Sequence, residues 1–162
     1  MHRFYLPDGM PAEGPVRFPR DIVRQLSRVL RMRAGEEIGV FDGSGTEWTI
    51  ELDDVSSRSV QGHVVDVTRP STEPRVDITL YQSLIDAAQF ELVLQKGVEL
   101  GVKRFVPLLA ERVSGAGSTG ASEGRQVRWA RIVQEAVEQS GRVFVPEVGA
   151  PVAMDAAFAD PP

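Results

Sequence analysis

Between positions 20 and 33 arginine recurs at a spacing that can hold phosphates. Arg20, Arg24, Arg28 and Arg31 follow one another at steps of four, four and three, with Arg33 just beyond. On a helix such steps share one stripe, and the guanidinium fork grips a phosphate in bidentate fashion, as a lysine ammonium does not. A solvated face paired with nearby acids has the same spacing, so both readings stand. Two further polar sets carry the same ambiguity. One is Gln95, Lys96 and Glu99. The other is Arg128, Arg131, Glu135, Glu138 and Arg142, in which Arg131–Glu135 and Glu138–Arg142 read as i,i+4 surface pairs.

Other chemistries find less support. The glycine- and serine-rich stretch 114–124 has neither the Gly-Lys-Ser/Thr ending of a P-loop nor the Gly-x-Gly-x-x-Gly spacing of a dinucleotide fold, and reads as a surface loop. His2 and His63 are the only histidines and cysteine is absent, so no metal site and no thiol nucleophile is expected. No residue declares itself as a general base.

The elements that must position these residues fall into two groups. A helix is expected over 19–32, with Ile22, Leu26, Val29 and Leu30 at helical spacing. Strands over 36–41 and 48–52 flank the turn Asp42-Gly43-Ser44-Gly45, and a third strand covers 60–67. One helix among short strands suggests a small β-barrel. The polar, proline-bracketed stretch 69–74 separates this first domain, 1–70, from a second, 74–162. There strands over 76–80, 105–109 and 143–145 alternate with helices over 86–100, 126–140 and 154–158, the pattern of right-handed βαβ units. Three strands make a thin parallel sheet, so the second domain reads as unfinished.

The chain has 162 residues, 42% of them hydrophobic and 25% charged, as in a globular protein rather than a disordered one. Its net charge of −5 argues against nucleic-acid binding by bulk attraction. The charge is uneven, however. Positions 1–33 hold seven arginines (3, 17, 20, 24, 28, 31 and 33) against Asp8, Glu13 and Asp21. Positions 34–70 hold Arg58 and Arg69 against eight acids. One face suited to an anionic partner would give this polarity, and so would internal ion pairing. The lack of cysteine, of an apolar leader and of any apolar run long enough for a bilayer leads to the expectation of a cytoplasmic protein.

Taken in order, the motifs resemble the RsmE-type 16S rRNA uridine-N3 methyltransferases of the SPOUT class. They are Ser27-Arg28-Val29-Leu30-Arg31-Met32, then Phe41-Asp42-Gly43-Ser44-Gly45, then the run from Phe90 through Gln95-Lys96-Gly97 to Val102. Pro107 with Glu111-Arg112 follows, then Trp129-Ala130-Arg131-Ile132-Val133-Gln134-Glu135-Ala136, Glu138-Gln139-Ser140-Gly141-Arg142 and Val145-Pro146-Glu147. The resemblance spans essentially the whole chain.

It implies an N-terminal PUA-like RNA-binding barrel and a C-terminal α/β domain closed by a trefoil knot. It also implies a homodimer that transfers a methyl group from S-adenosyl-L-methionine to N3 of a uridine in 16S rRNA of the 30S subunit. Carried over, Arg24, Arg28, Arg31 and Arg33 become RNA contacts, and Lys96, Glu99, Glu138, Gln139 and Arg142 become candidates for the substrate-facing side. The family's cofactor segments, Gly-Pro-Glu-Gly-Gly and a later Leu-Gly…Arg-Leu/Ile-Leu-Arg-x-Glu-Thr, do not occur here. Cofactor-binding residues are therefore expected beyond Pro162, dimerisation through the knot is in question, and the chain alone is expected to be inactive or nearly so. Two other readings stay open: a non-catalytic module that docks on rRNA, and an unrelated nucleotide-binding α/β protein.

Overall fold

Ile22, Val23 and Leu26 are the residues around which the first half of the chain folds. In the computed structural model, which describes residues 1–11, 14–109 and 123–159, the chain divides into two units, Met1–Thr72 and Glu73–Pro162. The first unit has strands β1 (Arg3–Tyr5), β2 (Val16–Arg17), β3 (Glu37–Phe41), β4 (Glu47–Val55) and β5 (Val60–Thr68) in the order β1-β3-β4-β5-β2. β1 runs parallel to β3, and the other neighbours are antiparallel. Phe4, Val16, Ile38, Val40, Ile50, Leu52 and Val60 put residues from every strand into one cluster with Ile22, Val23 and Leu26. A sheet meets a single cluster from all five strands only by curling, so the unit is a half-barrel with its helix as the plug. The short strands β1 and β2 offer no sequence periodicity and were not expected.

The helix itself departs from expectation. Regular α1 covers only Arg20–Arg24, and a wider π-turn continues it over Gln25–Val29. Ser27 Oγ bonds back to the Val23 carbonyl at 2.7 Å, a local competitor that bends helices. Leu30 N–H reaches Gln25 O and Met32 N–H reaches Leu26 O. Arg31 follows with φ +55°, so the helix ends before Met32 rather than at it. Leu26 is completely buried, whereas Val29, expected on the same apolar face, is 69% exposed. The extra residue in the π-turn swings Val29 off the buried face.

The second unit is a parallel sheet with helices. It contains β6 (Thr79–Ser83), α2 (Ala87–Glu99), β7 (Arg104–Leu109), α3 (Glu123–Ser140), β8 (Glu147–Val148), β9 (Val152–Ala153) and α4 (Met154–Ala159). β7 lies between β6 on one side and β8 and β9, end to end, on the other. Two strands lie later than expected. β6 starts at Thr79 because it registers with β7 from Thr79↔Arg104 to Ser83↔Leu108, while Val76 is left exposed. The strand expected over 143–145 begins at Glu147, whose N–H makes the first ladder bond, to Lys103 O; Pro146 has no N–H to give. Asp86 caps α2 by accepting from Ala88 N at 3.0 Å. Gly101 ends α2 at φ +90°, where a Cβ would also lie 2.2 Å from Pro74 Cγ. Phe90 of α2 and Trp129 of α3, both buried, meet with ring centroids 4.7 Å apart and join the two helices.

Arg142 closes this unit from within. The residue is 4% exposed, and its guanidinium grips Glu73, which spacing along the helix did not show. Nε and Nη2 donate to the Glu73 carboxylate at 2.5–3.1 Å, while Nη1 donates to the carbonyls of Val98 and Val102 at 3.1 and 2.8 Å. The fork thereby satisfies carbonyls at the C-terminal end of α2 and fixes the start of the unit beside them. Arg142→Ala strands that carboxylate and those carbonyls, and is expected to remove about 3 kcal/mol in urea unfolding. Lys96→Ala, which breaks an exposed pair, is expected to remove less than about 1 kcal/mol. Equal losses would show that the Arg142 fork does not hold the unit together.

Candidate nucleic-acid interface

The buried face of α1 dictates where its arginines point. With Ile22, Val23 and Leu26 committed to the half-barrel, Arg20, Arg24, Arg28, Arg31 and Arg33 are all exposed. Among the described residues none of these five guanidinium groups has a hydrogen-bond or ion-pair partner. Three acids of the same unit are engaged elsewhere. Glu36 accepts from the backbone N–H of Arg33 at 2.5 Å, Glu47 holds Arg3 at 2.8 Å, and Asp53 holds His63 at 2.8 Å. Sequence spacing left both phosphate binding and internal pairing open, the use of arginine leaning toward phosphate; the geometry removes internal pairing for this stripe, among the described residues.

The second unit behaves in the opposite way. Lys96 pairs with Glu99 at 2.9 Å, Lys103 with Asp77 at 2.6 Å, and Arg131 with Glu135 at 2.9 Å. Arg128 of α3 takes both oxygens of Glu91 on α2, with Nη2 at 2.7 Å. Of the residues assigned to a substrate-facing side, Lys96 and Glu99 are thus an exposed pair. Glu138, half-buried, accepts from Gln134 at 3.1 Å. Gln139 is exposed beside an α2–α3 crevice of about 450 Å³ shared with Leu92, Gln95, Ile132 and Glu135. Arg142 is buried with its fork on Glu73 and two carbonyls, and it borders a separate, larger cleft. The structure therefore does not gather these five into one site. The larger cleft, of about 690 Å³, opens at the amino ends of β6, β7 and β8, lined by Thr79, Lys103, Arg104, Phe144 and Glu147 among others. Glu111 and Arg112, and most of the loop expected over 114–124, lie outside the described residues; Glu123 and Gly124 belong to α3. Among the described residues no three His, Asp or Glu side chains group as metal ligands do, and no helix is long and apolar enough to cross a membrane.

Comparison with known proteins bears on both units. Residues 72–161 match the family model described as RNA methyltransferase domain, and residues 23–65 match that of the RNA methyltransferase PUA domain. Ribosomal RNA small subunit methyltransferase E of Synechocystis sp. is 35% identical over 127 residues, which cover 78% of this chain and 40% of that protein. The Bacillus subtilis protein of the same name is 32% identical over 126 residues, covering 78% and 49%. A Neisseria gonorrhoeae crystal structure of that enzyme, bound to S-adenosyl methionine, superposes with a TM-score of 0.90 at 35% identity, covering 100% of this chain and 66% of the other. A putative methyltransferase from Legionella pneumophila with bound SAM superposes at 0.85 and 27% identity, covering 98% and 65%. The chain thus spans about half the length of the curated relatives it matches.

The clamp between α2 and α3 carries a pH signature. The Arg128 hydrogen bond, outweighing partial burial, holds the Glu91 carboxyl below its ordinary range. A lowered folded-state value means that the stabilisation is present above about pH 4, where a free glutamate ionises, and is lost as pH falls through the lower folded value. The difference in melting midpoint between the parent and Glu91→Gln is therefore expected to shrink as pH is lowered from about 5 to about 3. A difference that stays constant over that range would remove the ion pair as its source.

Proposed function

The chain belongs to the RNA methyltransferase family, and on that premise we propose that it takes part in methylation of 16S rRNA, its half-barrel docking on the RNA and its α/β unit belonging to the transferase. The observation that carries the docking half is the row of exposed guanidinium groups that have no partner among the described residues. Such a row gains most from a polyanion, because each phosphate contact releases condensed counterions. Arg24, Arg28, Arg31 and Arg33 are the proposed RNA contacts. Lys96, Glu99, Glu138 and Gln139 are proposed to lie toward the substrate side of the second unit, with Arg142 acting as its internal tie.

The proposed reaction is transfer of a methyl group from S-adenosyl-L-methionine to N3 of a uridine in the 30S subunit, carried out in the cytoplasm by a homodimer. Methylation at N3 requires loss of a weakly acidic imide proton, so a general base or an electrostatic partner for the anion is needed. No described residue is assigned that task. Nor does the larger cleft among the described residues fit the methyl donor. In open α/β sheets ligands lie outside the carboxyl ends of the strands, whereas the 690 Å³ cleft lies at the amino ends and its charges pair with one another: Lys103 with Asp77, and Arg104 3.7 Å from Glu147. That misfit supports a second reading, in which this chain docks on rRNA without itself transferring a methyl group.

Two measurements separate these readings. Arg28→Ala and Arg31→Ala are each expected to weaken binding to 16S rRNA and to lower the slope of log affinity against log salt by about one. Unchanged affinity and slope in both would take the helix out of the interface. Calorimetric titration of the 162-residue chain with S-adenosyl-L-methionine is expected to give no binding heat. Micromolar binding would place a donor site within the chain and exclude the module reading.

A further inference from the structure

Along the docking helix one rule holds, apolar side chains inward and arginines outward, and Val29 breaks it. In a continuing α-helix Val29 would stand three residues beyond Leu26 and share its face. The π-turn over Gln25–Val29 instead leaves Val29 69% exposed while Leu26 stays fully buried. Arg28 precedes it in the chain and Arg31 follows two residues later, and neither has a partner among the described residues. Arg31 also holds φ +55°, although every other described residue with positive φ is a glycine. Glycine is the residue that helix ends ordinarily place there, because a Cβ strains the left-handed conformation. Two local departures, a widened turn and a strained arginine, thus coincide at one exposed branched apolar side chain, flanked in sequence by two cations without partners among the described residues.

We infer that this turn is the nucleotide-contacting element of the docking helix, with Val29 packing on an unstacked base or ribose while Arg28 and Arg31 hold the adjoining phosphates. The inference rests on the reading of the first unit as an RNA-docking domain. An isolated exposed valine ordinarily needs no explanation. Here its exposure comes from a departure from α-geometry, and its sequence neighbours suit an anion. A nucleotide combines an apolar ring face with a phosphate on either side, and single-stranded RNA offers such faces unstacked. A protein partner would require a far wider apolar surface than one side chain provides.

Two substitutions in the full 162-residue chain test this by anisotropy with a fluorescent oligouridylate, each with a thermal melt. Val29→Ser is expected to weaken binding about fivefold with an unchanged salt slope, since no charge is lost. Its melting midpoint should stay put, because the side chain is exposed. Arg31→Gly is expected to weaken binding and lower the salt slope by about one. Its midpoint should hold or rise by a few degrees, because glycine relieves the backbone. Val29→Ser binding as tightly as the parent overturns the inference, and so does a lower midpoint for Arg31→Gly, which would make Arg31 a structural residue. Should Arg24→Ala and Arg28→Ala weaken binding while these two variants do not, RNA docking stands and this inference alone falls. If none of the four weakens it, both fall.

Discussion

Burial of Ile22, Val23 and Leu26 inside the curled sheet is the constraint on which the functional surface depends. The sheet cannot close its own core: β1 and β2 are three and two residues long, and the cluster they border needs a plug. One short helix provides it and is left no freedom to rotate, because turning it would pull a fully buried leucine into water, at a cost of about 2 kcal/mol or more. The arginines are therefore outward by exclusion. Their exposure follows from the core, and among the described residues they have no partner, while Glu47 and Asp53 of β4 hold Arg3 and His63.

The same logic runs in reverse in the second unit. There the described cations are mostly bound to acids, and the deepest of them, Arg142, serves the fold. A buried guanidinium is tolerated only when its donors are satisfied, and Glu73 with the carbonyls of Val98 and Val102 does this. Glu73 is the first residue of the unit, so the pair fixes where the chain enters it. Pro74 against Gly101 fixes the same corner by shape. Charge in this unit is spent internally, whereas in the first unit it is held outward, and a net charge of −5 hides that difference.

The family likeness and the physical reading meet in the first unit and diverge in the second. Match to the PUA model over residues 23–65 spans the helix end and strands that present and back the arginine row. Match to the RNA methyltransferase model over residues 72–161 names a chemistry, but no described side chain is assigned as its proton acceptor. Resemblance in motif order carried Arg142 toward the substrate side; packing turned it inward.

Composition and spacing by themselves determined the two-part organisation at 69–74, the hairpin at Asp42–Gly45, the helices α2 and α3 with their apolar stripes, and the arginine repeat. These are local facts, written in periods of 3.6 and 2 and in glycine, proline and capping residues that act on their own neighbours. Only the tertiary structure decided which charges would be free. Whether Arg131 meets Glu135 is a matter of four residues along one helix, and spacing showed it. That Arg142 meets Glu73, 69 residues away, or that Val29 leaves the core while Leu26 enters it, depends on which surfaces the fold brings together. Side-chain spacing carries no record of a partner that arrives from another element, and burial, which sets the strength of every charge and contact, exists only once those elements have met.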